Sequence, residues 1–227
     1  PGQSRSDLLA TNVAVFKEIV PEIVRHNKEC IILVITNPLD VLTYITWKLS
    51  GFPSCRVFGS GTVLDTARLR YLMGQHFKIS SKDITAYILG EHGDSEFVWW
   101  SQANIAGVSL ARLDGYDAAA LEKMYQTTKN AAYDIIQKKG STNYAIAMVV
   151  AKIVRAIVLD QSRVFTVSSL VDDVLGVGDV CLSLPMVVRQ SGTCERLDVQ
   201  LNDQERVLFA ASAQTVKADL AAALKLL

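Results

Sequence analysis

Near the start of the chain, Leu9, Val13, Phe16, Val20 and Ile23 recur at helical spacing and share one face, which predicts an amphipathic helix. Ser6 or Asp7 can cap it. Pro21, well inside the pattern, is expected to kink or break it. The periodicity then changes. Ile31 to Ile35 is an unbroken apolar run ending at Asn37-Pro38, as in a parallel strand covered on both faces and closed by a turn. A helix is expected over residues 41–49, and the stretch RVFGSG gives a short strand ending at Gly59 or Gly61. Strand, helix and strand in this order form the βαβ unit of a doubly wound sheet.

Beyond it the pattern predicts a helix over 62–76. A strand over ITAYILG should run into the loop GEHGDSE, with 97–106 continuing it. Asp117 is a possible cap for the first of two long helices, 118–138 and 143–159, which KGST separates. Strands near 164–170, 180–188 and 196–201 precede a final helix that begins after Asn202-Asp203. The order reads as part of an α/β layer followed by an α+β layer, without repeats or low-complexity tracts.

Composition narrows the possibilities. A length of 227 residues allows one large domain or two modest ones. Lys plus Arg equals Asp plus Glu at 23 each, so no bulk field draws the chain to nucleic acid or to an anionic membrane. Cys30, Cys55, Cys181 and Cys194 lie far apart with no C-x-x-C spacing. That speaks against a zinc site or a disulfide framework and fits reduced thiols in the cytoplasm. No apolar segment is seen to approach the roughly 20 residues of a bilayer span, and the polar opening PGQSRSD is not a signal peptide. The chain starts without methionine, as if inside a loop, so an N-terminal portion of the natural protein is expected to be missing.

Two stretches carry candidate chemistry. In LDTAR, Asp65 and Arg68 stand at i and i+3 and share a helix face; for an arbitrary pair of this kind, a surface ion pair is the usual reading. A third group beside them would change that reading, and His92 is the candidate. It lies in GEHGDSE, directly after an apolar strand, and ligands of α/β sheets gather at the carboxyl ends of strands. A carboxylate on its imidazole would fix the tautomer and favour the charged form, giving a proton donor and acceptor for neutral pH. Asp65, Glu91, Asp94 and Glu96 are all available for that part. Ser95 and Asp94 beside a histidine also suggest a Ser–His–Asp hydrolase, but no G-x-S-x-G elbow presents a nucleophile.

Taken together and in order, PGQSR, TNPLDVLTY, GSGTVLDTARLR and GEHGDSE resemble the NAD-dependent L-lactate dehydrogenases and their malate dehydrogenase relatives. DDVLGVGDVCLSLPMVV looks more like the lactate branch. The resemblance implies reversible hydride transfer between lactate and pyruvate with NAD as cofactor. It implies that His92 moves the hydroxyl proton and that Asp65 holds the imidazole. Arg68 would clamp the substrate carboxylate with its planar fork, a geometry lysine lacks, and Arg5 would polarise the reacting carbonyl. Asn37 would hydrogen-bond near the nicotinamide and the substrate oxygen, Thr142 would line the substrate pocket, and Ile146 would pack on the nicotinamide ring. No metal is implied. Arg70 matches an arginine that binds fructose 1,6-bisphosphate in allosteric bacterial relatives. Its histidine partner is replaced by Thr85, so sugar-phosphate activation is not expected.

The dinucleotide fingerprint G-x-G-x-x-G is nowhere in the chain. Residues 1–60 are therefore expected to be the second half of a Rossmann-type NAD-binding domain, and 61–227 the substrate-binding and catalytic domain. By itself such a polypeptide should bind NAD poorly and turn over little, with an exposed sheet edge. The loop that separates lactate from malate in this family would precede Pro1, which leaves malate dehydrogenase as the nearest alternative. A catalytically silent fragment that acts through subunit contacts is the other. The resemblance also implies a cytoplasmic homo-oligomer, a tetramer or a dimer, whose interface could include one of Trp99 and Trp100. Strand alternation would bury only one of that pair.

Overall fold

A computed structural model describes residues 5–227, with the side chains of residues 5–7 and 194 outside the description. In chain order the helices are α1 (Arg5–His26), α2 (Leu39–Ser50), α3 (Val63–Phe77), α4 (Ala118–Lys139), α5 (Tyr144–Val158) and α6 (Asp203–Leu224). The strands are β1 (Ile32–Val34), β2 (Val57–Gly59), β3 (Ile84–Thr85), β4 (Ile88–Leu89), β5 (Phe97–Val98), β6 (Asn104–Ile105), β7 (Val108–Ser109), β8 (Arg163–Val171), β9 (Val180–Arg189) and β10 (Gly192–Arg196).

The βαβ unit forms as the pattern predicts, with β1 parallel to β2 and α2 as the crossover. One sheet then runs through the molecule in the order β1-β2-β8-β9-β10. A single antiparallel pair, Gly59 with Ser168, joins its parallel part to the long β8–β9 ladder. The residues of α1, α2 and α6 pack with Val171, Cys181, Leu182 and Leu184 in one core. In a second core, Phe58, Val167, Met186 and Val188 meet Val63 of α3 and Val149 and Ile153 of α5. Short strands and α4 cover α3 in a third. Gly61, at φ +54°, lets the chain pass so close to Thr166 and Ser168 that a Cβ would collide with their backbones. That approach starts α3 directly against the sheet.

Several expectations are corrected. α1 runs through Pro21 unbroken; Pro21 is exposed, so the carbonyl it leaves unpaired faces water. Ser6 and Asp7 lie within α1 rather than before it. β1 is an edge strand, and only Val34 of its three residues is fully buried. The predicted strand over ITAYILG divides, because β3 pairs with β6 whereas β4 pairs with β5. The segment 97–106 does not continue it either. After Val98 a tight turn forms at Trp100–Gln102, fixed by Ser101, whose N–H and hydroxyl donate to buried Glu205 of α6 at 2.9 and 2.7 Å. Alternation therefore never applies to the tryptophan pair: Trp99 packs on the core beside α6, Trp100 on the core beside α4, and both are half-buried. The last strand is Gly192–Arg196, not 196–201, since the chain reverses at once after Arg189 and Gly192 takes φ +103°.

Caps follow side-chain chemistry. Asp117 accepts from Ala119 and Ala120 N–H at the start of α4, and Asn202 and Glu205 form a reciprocal capping box on α6. α5 is capped by Asn143, one residue after Thr142. By length and composition, α6 is apolar enough to cross a bilayer, contrary to the expectation from sequence. Its Phe209, Val216 and Leu220 are buried in the core, so that apolarity serves packing, and alanines supply much of the rest.

Candidate active site

The site is built where β4 ends. Gly90, at φ +90°, turns the chain out of the strand and exchanges backbone hydrogen bonds with Ser183 of β9 at 3.0 and 2.7 Å. A Cβ there would strike Ser212 of α6, whose hydroxyl instead accepts the Glu91 N–H at 2.6 Å. The Glu91 carboxylate turns back to accept from the N–H and hydroxyl of Ser95, which closes the loop. His92 is thus presented by a loop anchored to both β9 and α6.

Asp65, in the first turn of α3, is the carboxylate that meets the ring. Its Oδ2 lies 2.8 Å from His92 Nδ1, and its Oδ1 lies 3.4 Å from Arg68 Nη1. A carboxylate only accepts, so Nδ1 carries the proton and Nε2 is left for a ligand. Asp65 and Arg68 are 7% and 18% exposed and the imidazole 27%, so the i, i+3 pair is no surface ion pair. Glu91 and Asp94 are engaged elsewhere. Glu91 closes its own loop, and Asp94 receives the Lys129 ammonium on its carbonyl and the Tyr133 hydroxyl on its side chain at 3.5 Å.

Asp40 is a member of the site that the sequence reading did not single out. From the first turn of α2 it accepts the His92 backbone N–H at 2.7 Å and the Ser168 hydroxyl at 2.5 Å. Burial pushes its carboxyl up to about 6, against those two hydrogen bonds and the His92 charge. The sequence signal was an acid in TNPLD directly after the strand, at a helix start where an acid ordinarily needs no further reason. Glu96 was named only as one of four candidate partners. It is buried and has one donor atom within 4.8 Å of those of Asp65 and His92. Three such donors could hold a metal ion in principle, but the positive charges of Arg68, Lys129 and His92 all act on this carboxyl.

For His92 itself, burial lowers the pKa. The hydrogen bond and charge of Asp65, with the charges of Asp40 and Glu96, outweigh that loss and lift it from 6.5 to about 9. The ring is therefore an imidazolium at neutral pH.

A cavity of about 660 Å³ opens in front of it, lined by Asn37 and Pro38 at the carboxyl end of β1, by Asp65, His92 and Glu96, and by Lys129, Tyr133 and Ile136 of α4. Asn37 is exposed on that wall, and its carbonyl accepts from Asn12 at 2.7 Å. Arg68 stands behind the lining, held on Asp65. Thr142 and Ile146 are half-buried and do not line this cavity, which reaches along α4 as far as Ile136. The Arg5 side chain lies outside the described residues. Arg70 is engaged internally: its Nε donates to the Ala86 carbonyl at 2.8 Å and its guanidinium lies over the Tyr87 ring.

Comparison with known proteins bears on the whole chain. Residues 62–227 match the lactate/malate dehydrogenase alpha/beta C-terminal domain, and residues 1–59 match the NAD binding domain of the same family. An L-lactate dehydrogenase of Acetivibrio thermocellus is 49% identical over 221 residues, covering 95% of this chain and 70% of the relative. L-lactate dehydrogenase 1 of Clostridium acetobutylicum is 47% identical over 97% of this chain and 72% of its own length. The crystal structure of a lactate dehydrogenase enzyme from a Medee basin deep-sea metagenome library superposes with a TM-score of 0.94 at 39% identity, covering 98% of this chain and 72% of that one. The chain belongs to the lactate/malate dehydrogenase family.

Proposed function

We propose that this chain carries the substrate-binding and acid–base half of an L-lactate dehydrogenase, which interconverts pyruvate and lactate. The observation that carries the reading is the Asp65 carboxylate placed between the His92 imidazole and the Arg68 guanidinium, at the edge of a cavity large enough for a small acid. The two bacterial relatives, named L-lactate dehydrogenase and L-lactate dehydrogenase 1, support that substrate class.

In the direction of reduction, Arg68, the clamp that the family resemblance implies, holds the 2-oxo acid through its carboxylate, and His92 gives its Nε2 proton to the carbonyl oxygen as that oxygen gains negative charge. Asp65 fixes the tautomer and favours the imidazolium. In the reverse direction, neutral His92 takes the hydroxyl proton. Nicotinamide adenine dinucleotide, when bound, supplies or accepts the hydride. The residues present fit its nicotinamide end: Asn37 and Pro38 close β1 on the cavity wall, at the strand end where such ligands sit in open α/β sheets. The glycine-rich phosphate cradle has no counterpart in the sequence. Arg5 as carbonyl polariser and Thr142 and Ile146 as pocket and ring contacts belong to this reading through the family resemblance.

The same reading places a domain boundary near residue 60 and makes the protein a cytoplasmic homo-oligomer. The exposed apolar side chains of α1 (Val15, Ile19) and α5 (Tyr144, Met148, Val158) support the latter. The test is NADH oxidation in the enzyme containing these residues, with pyruvate and oxaloacetate compared. Pyruvate should be preferred; a preference for oxaloacetate would make it a malate dehydrogenase, and turnover unaffected by His92→Gln would overturn the proposal.

A further inference from the structure

We propose that Glu96 is a positioning residue for His92: it stands beside the ring as a neutral carboxylic acid during proton transfer, and when it ionises it holds the imidazolium proton to higher pH. This rests on the reading of His92 as the acid–base group.

The geometry leaves Glu96 no other employment. Its Oε1 is fully buried and has no hydrogen-bond partner among the described residues, although it belongs to the cavity lining. A buried carboxylate oxygen without a donor is costly, and a proton of its own is the simplest relief. Its main chain is anchored, because its N–H donates to the Gly93 carbonyl at 3.2 Å and its own carbonyl accepts the Tyr125 hydroxyl. Its donor atom lies within 4.8 Å of those of both His92 and Asp65, so its charge is felt at the ring with little intervening water.

The charges around Glu96 set how readily it gives up that proton. The surroundings bear on this from every side: Asp65 and Arg68 from α3, Asp40 from α2, Glu91 and Asp94 in the loop, Tyr125, Lys129 and Tyr133 from α4, and Asp219 of α6 on the rim. Burial first and the Asp65 charge second raise the Glu96 carboxyl to about 8, against His92, Lys129 and Arg68. Below that pH Glu96 adds no charge to the ring; above it, a new negative charge opposes loss of the His92 proton.

The test is an NMR titration of the His92 imidazole, one of only three histidines, assigned by its loss in His92→Gln. Glu96→Gln keeps the shape and removes the titration, and should lower the apparent His92 pKa by about one unit. Glu96→Asp, which restores a carboxyl, should recover part of that shift. An unchanged His92 titration in folded Glu96→Gln would overturn the proposal. Should that variant not fold, the ¹³C resonance of the Glu96 carboxyl in the unsubstituted protein decides: a neutral acid at pH 7 supports the proposal, and an ionised one overturns it. Because the titration is read without turnover, it separates the two claims. A lowered His92 pKa in an enzyme inert toward pyruvate would sink the functional reading alone, and normal turnover with an unmoved pKa would sink this one alone.

Discussion

The two walls of the cavity are built differently. On the α3 and β4 side, the polar groups around the ring are mostly paired, Glu96 Oε1 excepted: Asp65 bridges His92 and Arg68, Asp40 holds the His92 N–H and Ser168, and Ser212 holds Glu91. These groups hang from α2, α3, α6 and the loop after β4, which pack on or bridge to β8 and β9. The opposite wall is a stretch of α4 with Lys129, Ala132, Tyr133 and Ile136 facing inward, joined to the loop through Asp94. The first wall fixes the direction and acidity of one proton. The second supplies shape and a single cation. Acid–base chemistry needs positions held to fractions of an ångström, whereas a wall that recognises shape tolerates more variation.

Substitutions should separate the walls, the largest effects falling on the first. His92→Gln removes the proton donor, and kcat for pyruvate reduction should fall by roughly 10²- to 10⁴-fold, as steady-state kinetics would show. Arg68→Lys keeps the charge but loses the fork. KM for pyruvate should rise by roughly 10- to 100-fold, the equivalent of one lost charge-assisted hydrogen bond. A KM within about twofold of normal would remove Arg68 from the clamp.

Asp40→Asn tests the hidden support beneath the first wall. Because the Asp40 pKa is raised to about 6 in the folded protein from 3.8, its ionisation opposes folding. The unsubstituted protein should lose stability as pH rises through that interval, by about 3 kcal/mol at about 1.4 kcal/mol per unit. The variant should not show that loss, and the gap between their urea midpoints should change accordingly from pH 4 to pH 6. Lys129→Ala, on the second wall, removes only a half-buried cation that donates to the Asp94 carbonyl. KM should change by no more than about fivefold with kcat kept.

The contrast also explains what could be read from the sequence. The strand and helix segments of the βαβ unit, the long helices, the Asp117 cap and the start of α6 after Asn202 were legible because each is signalled by residues within a few positions of one another. The Asp65–Arg68 pair was legible as an i, i+3 face, and His92 as a glycine-flanked residue after an apolar strand. Asp40 was not, since its partners His92 and Ser168 lie 52 and 128 residues away. The same holds for the end of the strand at Val98, which depends on Glu205 reaching Ser101 across 104 residues. Thr142 and Ile146 entered only through the family resemblance, and neither lines the cavity, which reaches along α4 as far as Ile136. Pro21 misled because local chemistry predicts a break, whereas the exposed side of a packed helix absorbs one missing hydrogen bond.

The central claim is that Asp65 keeps the His92 proton in place through neutral pH. The pH profile of kcat/KM for pyruvate, in the unsubstituted enzyme and in Asp65→Asn, tests it most directly. With His92 raised to about 9, reduction should hold steady through neutrality and decline only as pH passes that value, while lactate oxidation climbs over the same interval. In Asp65→Asn the decline should move to below neutral pH, with the rate lower throughout. Superimposable profiles for the two proteins would contradict the account.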